Sequence, residues 1–188
     1  MHTLVNSAGS IVPRGSRLPL AVARRAVPSR DGSACVLTGI AAAGTLGRVR
    51  RVEAVAGQES VWDYPRPPRV EAVPERVRVV LGGVTIAETT RAQRVLETSH
   101  PPVYYIPRDD VLMDDLTPEP GTTFCEWKGS ASYFSVEAAG KRAERAAWTY
   151  EEPSPGFDAI RGHLAFYCGP MDACQVGDER ARPEPGGF

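Results

Sequence analysis

The stretch FCEWKGSASYFSV at 124–136 places a thiol, a carboxylate, an indole and an amine at consecutive positions, Cys125 to Lys128. Cys125 is a nucleophile if a nearby base or cation lowers its thiol pKa. The nearest histidines in sequence are His100 and His163. Lys128 is one of two lysines beside twenty arginines, and it suits a carboxylate or phosphate as a point charge. Gly129 beside it would let a ligand approach the backbone closely. Arg91 and Glu97 would line the same cleft or pair with each other. In a helix their spacing sets them about 120° apart, whereas in a strand it puts them on one face. The catalytic candidates are therefore Lys128, Cys125 and Glu97. On a regular strand Cys125 and Trp127 point one way and Phe124, Glu126 and Lys128 the other, so thiol and amine would not act together. Each residue also has a plain structural reading: a small buried thiol, a solvated strand-end lysine, a supporting ion pair.

Aromatic mass is concentrated in Tyr104, Tyr105, Trp127, Tyr133, Trp148 and Tyr150. Such side chains dominate small cores, but they also wall ligand pockets on which a few polar groups converge. The ligand-binding candidates are Arg91, Tyr105, Trp127, Lys128, Tyr133 and Trp148. No metal is expected. Zinc sites use closely spaced Cys/His pairs, and Cys168 and Cys174 have no second pair near them. The acids Asp109, Asp110, Asp114 and Asp115 read as a solvated loop, lacking EF-hand spacing. No phosphate-cradling loop, dinucleotide fingerprint or serine nucleophile elbow occurs, so no cofactor is expected.

The elements that must position these groups follow from the rest of the chain. With 42% hydrophobic and 24% charged residues among 188, the composition is that of a folded domain. The formal net charge of -1 hides an asymmetry: residues 1–51 hold eight arginines and one acid, Asp31. A basic leader on an acidic body reads as tail plus domain and not as a nucleic-acid-binding surface. No stretch reaches the ~20 apolar residues of a membrane span, and Arg24 and Arg25 break the one apolar piece that resembles a secretion signal. Four scattered cysteines (Cys35, Cys125, Cys168 and Cys174) without a C-x-x-C pair favour free thiols and a reducing cytoplasm. An oligomer is compatible with all of this.

Residues 1–51 read as a leader: an expression-tag remnant (IVPRGS at 11–16 resembles a protease-site linker), a stretch translated from an early start codon, or a basic interaction arm. Residues 52–176 form a single β-rich domain, and 177–188 a loose Pro/Gly-rich tail. ESVWDYPRPPRVEAVP is too proline-rich for helix or central strand and lies extended, anchored by Trp62 and Tyr64. VRVVLGGVTIAET is a hairpin turning on Gly82-Gly83. TTRAQRVLETSH fits helix or strand, and VYYIP is a strand. ASYFSVEA and RAERAAWTY pair as a second hairpin through Ala139-Gly140-Lys141. SPGFDAIRGHLAFY, with Ser154 and Pro155 as start signals, predicts a closing helix. The expected fold is mainly β: a small antiparallel sandwich or half-open barrel of about six strands with one or two short helices.

With these motifs in place, the chain resembles the domain-of-unknown-function 427 family. The resemblance rests on QESVWDYPRPPRVE, LGGVTIAETTRAQRVLETSHPPVYYIPRDDV, CEWKGSASYFSV and AAWTYEEP in fixed order, and covers about 52–175. It implies a compact β-rich bacterial domain of actinobacterial type, without an agreed activity. The family's signature falls on Trp62, Tyr64, Pro65, Arg66 and Pro67. It continues through Arg91, Glu97, Pro101, Tyr105 and Pro107, then Cys125, Trp127, Lys128, Gly129 and Tyr133, and ends with Ala147, Trp148 and Tyr150. Residues 1–50 have no counterpart in that pattern, and similar proteins run on past PEPGGF with an aromatic, glycine-rich segment. The family's nucleotidyltransferase-like label finds no phosphate loop or metal-holding carboxylate pair here. Two functional readings follow. One is a small polar or anionic molecule in an aromatic-walled pocket, with catalysis left open. The alternative is a non-enzymatic interaction module using the WDYPRPP segment or a sheet edge.

Overall fold

A computed structural model describes residues 3–5 and 58–183. The leader expectation, Cys35 included, falls outside the described residues except at Thr3–Val5. In chain order the strands begin with β1 (Thr3–Val5), β2 (Gln58–Ser60), β3 (Arg69–Val73), β4 (Val77–Leu81) and β5 (Val84–Thr89). Next come β6 (Ala92–Leu96), β7 (Val103–Tyr105), β8 (Leu116–Cys125), β9 (Gly129–Ala138) and β10 (Lys141–Thr149). The last three are β11 (Leu164–Phe166), β12 (Ala173–Val176) and β13 (Glu179–Arg180). Among the described residues the domain is mainly β, and its helical content is confined to 3-10 turns. No described helix is long and apolar enough to cross a membrane.

Three antiparallel sheets carry the architecture, in the orders β3-β6-β7, β11-β10-β9-β8 and β13-β12-β4-β5; β1 and β2 pair in parallel beside them. The first two sheets join edge to edge. Ile106 and Leu164 exchange both main-chain hydrogen bonds, at 2.7 and 2.8 Å, so β7 and β11 continue one seven-strand layer. The layer has two buried faces, because successive side chains in a strand point to opposite sides. Ile106, Phe134, Val136, Ala147 and Leu164 face the third sheet, meeting Val77, Val79 and Leu81 of β4 and Ile86 of β5. Tyr105, Ala131, Tyr150 and Ala165 face the other way, under Phe157 and Ile160.

The hairpins follow local chemistry. Gly82 and Gly83 take φ of +60° and +77°, the paired left-handed turn that joins β4 to β5 without splaying them. The second hairpin turns on Ala139 and Gly140, with Lys141 already the first residue of β10. The two turns touch, for a Cβ on Gly82 would lie 2.5 Å from the Ala138 carbonyl oxygen. Asp172 ties them together, accepting from the Gly83 amide at 3.0 Å and from the Lys141 amine.

Several sequence expectations need correction. The mainly β, antiparallel class holds, but the described residues form thirteen strands instead of about six, several of them only two or three residues long. Of the 89–100 segment, left open between helix and strand, Ala92–Leu96 forms strand β6, held antiparallel to β3 on one side and β7 on the other. The expected closing helix is a single 3-10 turn, Asp158–Ile160, followed by β11; pairing of Leu164 with Ile106 claims the amide a helix would have used. The WDYPRPP segment opens with a 3-10 turn at Val61–Asp63. Val61 and Tyr64 bury against Leu96, with Trp62 packed alongside. Residues 179–180, assigned to the tail from sequence, pair with β12.

Beside this anchor Arg94, on β6, binds Glu59 at 3.0 Å and Glu71 at 2.8 Å, while the Tyr64 hydroxyl donates to Glu59 at 2.9 Å. Burial opposes ionisation of Glu71, but hydrogen bonds and charge from Arg94, with Arg69 behind, outweigh it and hold the carboxyl below its ordinary 4.5.

Two outcomes are expected. Gly83→Ala should cost about 1–2 kcal/mol, the strain of a left-handed non-glycine residue. Gly82→Ala should lower the urea midpoint further, because its methyl also meets the Ala138 carbonyl; equal midpoints would show that the turns do not touch. The depressed Glu71 contributes stability that is fully present above its unfolded pKa and lost as pH falls through the folded value. The penalty of Arg94→Met, read by thermal melting, should therefore be largest near neutral pH and shrink below about pH 4.5.

Candidate functional site

Cys125 ends β8 and pairs with Gly129 across the turn Glu126–Lys128. These residues are a turn, not a continuing strand, so the alternation expected from sequence does not apply. Phe124 is exposed and Cys125 half-buried, while Lys128 is tucked inward with 9% of its surface exposed. Its amine lies 3.3 Å from Glu97, which follows β6, and the two side chains are 11% and 16% exposed. Gly129, expected to admit a ligand, instead admits the chain itself: a Cβ there would lie 3.3 Å from the Ser154 hydroxyl. The Ser154 amide donates to the Lys128 carbonyl at 3.0 Å.

Behind the turn the predicted aromatics converge. Tyr105, Tyr150 and Ala131 are buried together, with Cys125, Trp127, Tyr133 and Trp148 packed around them. Trp148 pairs across the strands with Tyr133 and with Ala165. Its ring meets Tyr105 edge-on at 6.5 Å and lies against Tyr167 at 4.5 Å. Burial, and then the neighbouring Tyr150, push the Tyr105 phenol well above its usual pKa, and it also senses Cys125 and Glu97. Burial, and then Cys125 as neighbour and hydrogen-bond partner, do the same to Tyr150. Both phenols are therefore neutral at physiological pH and act as hydrogen-bonding groups, not as anions. Tyr133, Trp148 and Tyr167 remain half-buried. Trp127 lies under the Arg66 guanidinium at 5.9 Å, and among the described residues its buried indole nitrogen has no hydrogen-bond partner.

Arg91 stands apart from this cluster. It precedes β6 whereas Glu97 follows it, a separation of about 20 Å along an extended chain. Its guanidinium pairs with Asp110 at 2.8 Å and is 63% exposed. It borders a depression of about 270 Å³ lined by Arg76, Glu88, Thr89, Thr90, Arg91 and Asp110. Arg91, with Thr89 as a second donor, holds the Asp110 carboxyl below its usual range. Asp109, Asp110, Asp114 and Asp115 lie in two 3-10 turns, and among the described residues no three His, Cys, Asp or Glu side chains are placed to share a metal ion. Two residues of the cluster were not legible as site candidates: Tyr167, hidden in the segment read as helix, and Arg145, which lies over the Tyr133 ring at 4.2 Å.

These features define an all-β domain with a polar, aromatic cluster on one face of a continuous sheet. The chain belongs to the family described as Domain of unknown function (DUF427), whose model matches residues 69–177, more than half its length. The matched span begins after the WDYPRPP segment. No curated protein matches the chain.

Removing one partner of a largely buried ion pair leaves the other uncompensated. Lys128→Met should destabilise by about 2–4 kcal/mol, and adding Glu97→Gln should restore at least about 1 kcal/mol of that loss in a double-mutant cycle read by urea denaturation. Additive effects would mean that the two side chains do not interact.

Proposed function

We propose that this domain binds a small polar or anionic molecule on an aromatic-walled site formed by Trp127, Tyr133 and Trp148. Tyr105 backs the Trp148 ring, and the Lys128–Glu97 pair fixes the turn that presents Trp127. The observation that carries this reading is the half-buried aromatic row of Tyr133, Trp148 and Tyr167 on a sheet face whose remainder is covered by Phe157 and Ile160. Rings held side by side with part of their surface accessible are what ligand sites use, flanked by a few polar groups. The buried indole N–H of Trp127 adds a donor facing no protein acceptor among the described residues. Cys125, Cys168 and Cys174 carry free thiols, which supports a reducing, cytoplasmic setting. Arg91 has no part in this site.

The interaction-module reading keeps one specific observation: Phe124, on the outer strand β8, is 77% exposed. Its other support weakens, because Val61, Tyr64 and Pro68 of the proline-rich segment are buried in the domain itself.

Screening a metabolite library by thermal melting tests the site. A ligand at a hundred times its Kd should stabilise the native chain by about 2.7 kcal/mol. Trp148→Leu should abolish that shift, whereas Phe124→Ser should leave it intact. A library that shifts nothing, or a shift that survives Trp148→Leu, overturns the proposal.

A further inference from the structure

Arg145 occupies an unusual position in the middle of strand β10. Pairing of β10 with β9 slips between Ala143 and Ala147, and within that bulge Arg145 adopts a φ of +45°. A non-glycine residue in this region costs about 1–2 kcal/mol and persists only where its surroundings impose it. The imposing group is Ser135, 1% exposed, whose hydroxyl oxygen accepts from the Arg145 amide at 3.0 Å. That hydroxyl in turn donates to Glu119, which Arg142 holds at 3.1 Å. β8 carries a matching irregularity between Glu119 and Thr122. Bulges re-aim side chains; these two lie on the strands flanking β9, and the side chain re-aimed on β10 is that of Arg145.

Its guanidinium carbon lies over the Tyr133 ring, 4.2 Å from the centroid, and the group donates to the Pro120 carbonyl at 2.7 Å. Among the described residues it has no carboxylate in ion-pair contact, whereas Lys128, Lys141, Arg91 and Arg142 all do. Stacking occupies the face of a guanidinium and leaves its in-plane N–H groups available, and Arg145 is exposed. Beside it Tyr167 lies against Trp148, and the Tyr133 hydroxyl is bonded to Thr123 at 2.7 Å. An uncompensated, edge-presenting cation next to half-buried rings matches a planar ligand bearing a carboxylate.

We infer that Arg145 is the anion-reading residue of this domain, pairing with the carboxylate of an aromatic acid whose ring lies on Trp148 and Tyr167. The inference rests on the aromatic site proposed above, and it moves the charge recognition from Lys128, already neutralised by Glu97, to Arg145.

The test is calorimetric titration of the full chain at low salt with matched pairs: benzoate against benzamide, and indole-3-acetate against indole-3-acetamide. At least one acid should bind about tenfold or more tighter than its amide. Arg145→Met, which keeps the methylenes on Tyr133, and Arg145→Gly, which suits the left-handed backbone, should each bring acid and amide within about twofold. Arg145→Lys should retain part of the preference. Discrimination that persists in the Met and Gly variants overturns the role of Arg145, and if Trp148→Leu still abolishes binding of acid and amide alike, the aromatic site itself stands. A wild-type chain that binds acid and amide equally, or neither, also overturns the inference; only the absence of any binder in the metabolite screen as well takes the site with it.

Discussion

The backbone pairing of Ile106 with Leu164 is the constraint on which the rest of the molecule depends. Two hydrogen bonds join a three-stranded sheet to a four-stranded one. The alternation of side chains then sorts everything along the seam. Tyr104, Ile106, Leu164 and Phe166 go to the aliphatic core shared with β4 and β5, and Tyr105 and Ala165 go to the aromatic face. A one-residue slip at this seam would exchange the two sets. Tyr105 would leave Trp148 and Tyr150, and an isoleucine would take its place beside the phenols. Register at one point therefore decides whether the aromatic face exists.

How much of this was legible in the sequence depends on how local the deciding physics is. The Gly82-Gly83 hairpin was legible because two adjacent residues able to take positive φ specify the turn by themselves. The mainly antiparallel class and the convergence of Tyr105, Trp127, Tyr133 and Trp148 followed from aromatic mass placed on strand-like runs. The β6 segment was ambiguous because Ala92, Val95 and Leu96 satisfy both periods; its neighbours β3 and β7, distant in sequence, settle the matter. The 154–167 segment misled for the same reason. Ser154-Pro155 is a genuine start signal, yet one turn forms before Leu164 is taken by a strand far upstream. Arg145 offered no signal, since its conformation comes from Ser135 and a bulge, neither visible as a pattern.

Charge in this domain is largely directed inward, onto the fold. Lys128 locks the β8–β9 turn to the end of β6, and Lys141 helps Asp172 hold two hairpin turns against each other. Arg94 gathers Glu59 and Glu71 beneath the proline-rich segment. Rarity of lysine in the sequence therefore marks structural fastening at both positions. Neutral phenols at Tyr105 and Tyr150, next to the Cys125 thiol, give the aromatic face polarity without net charge.

Strand β8 carries Pro118 and Pro120 and forms the outer boundary of its sheet. Proline has no amide hydrogen, so this rim presents an interrupted ladder to any approaching chain. An unbroken ten-residue rim would be a template on which partly unfolded copies could stack into fibrils. With two rungs missing and a bulge twisting the strand beside them, such growth lacks a continuous row of donors. The irregularity of β8, counterpart of the one in β10 that positions Arg145, thus also guards the molecule against its own copies during folding.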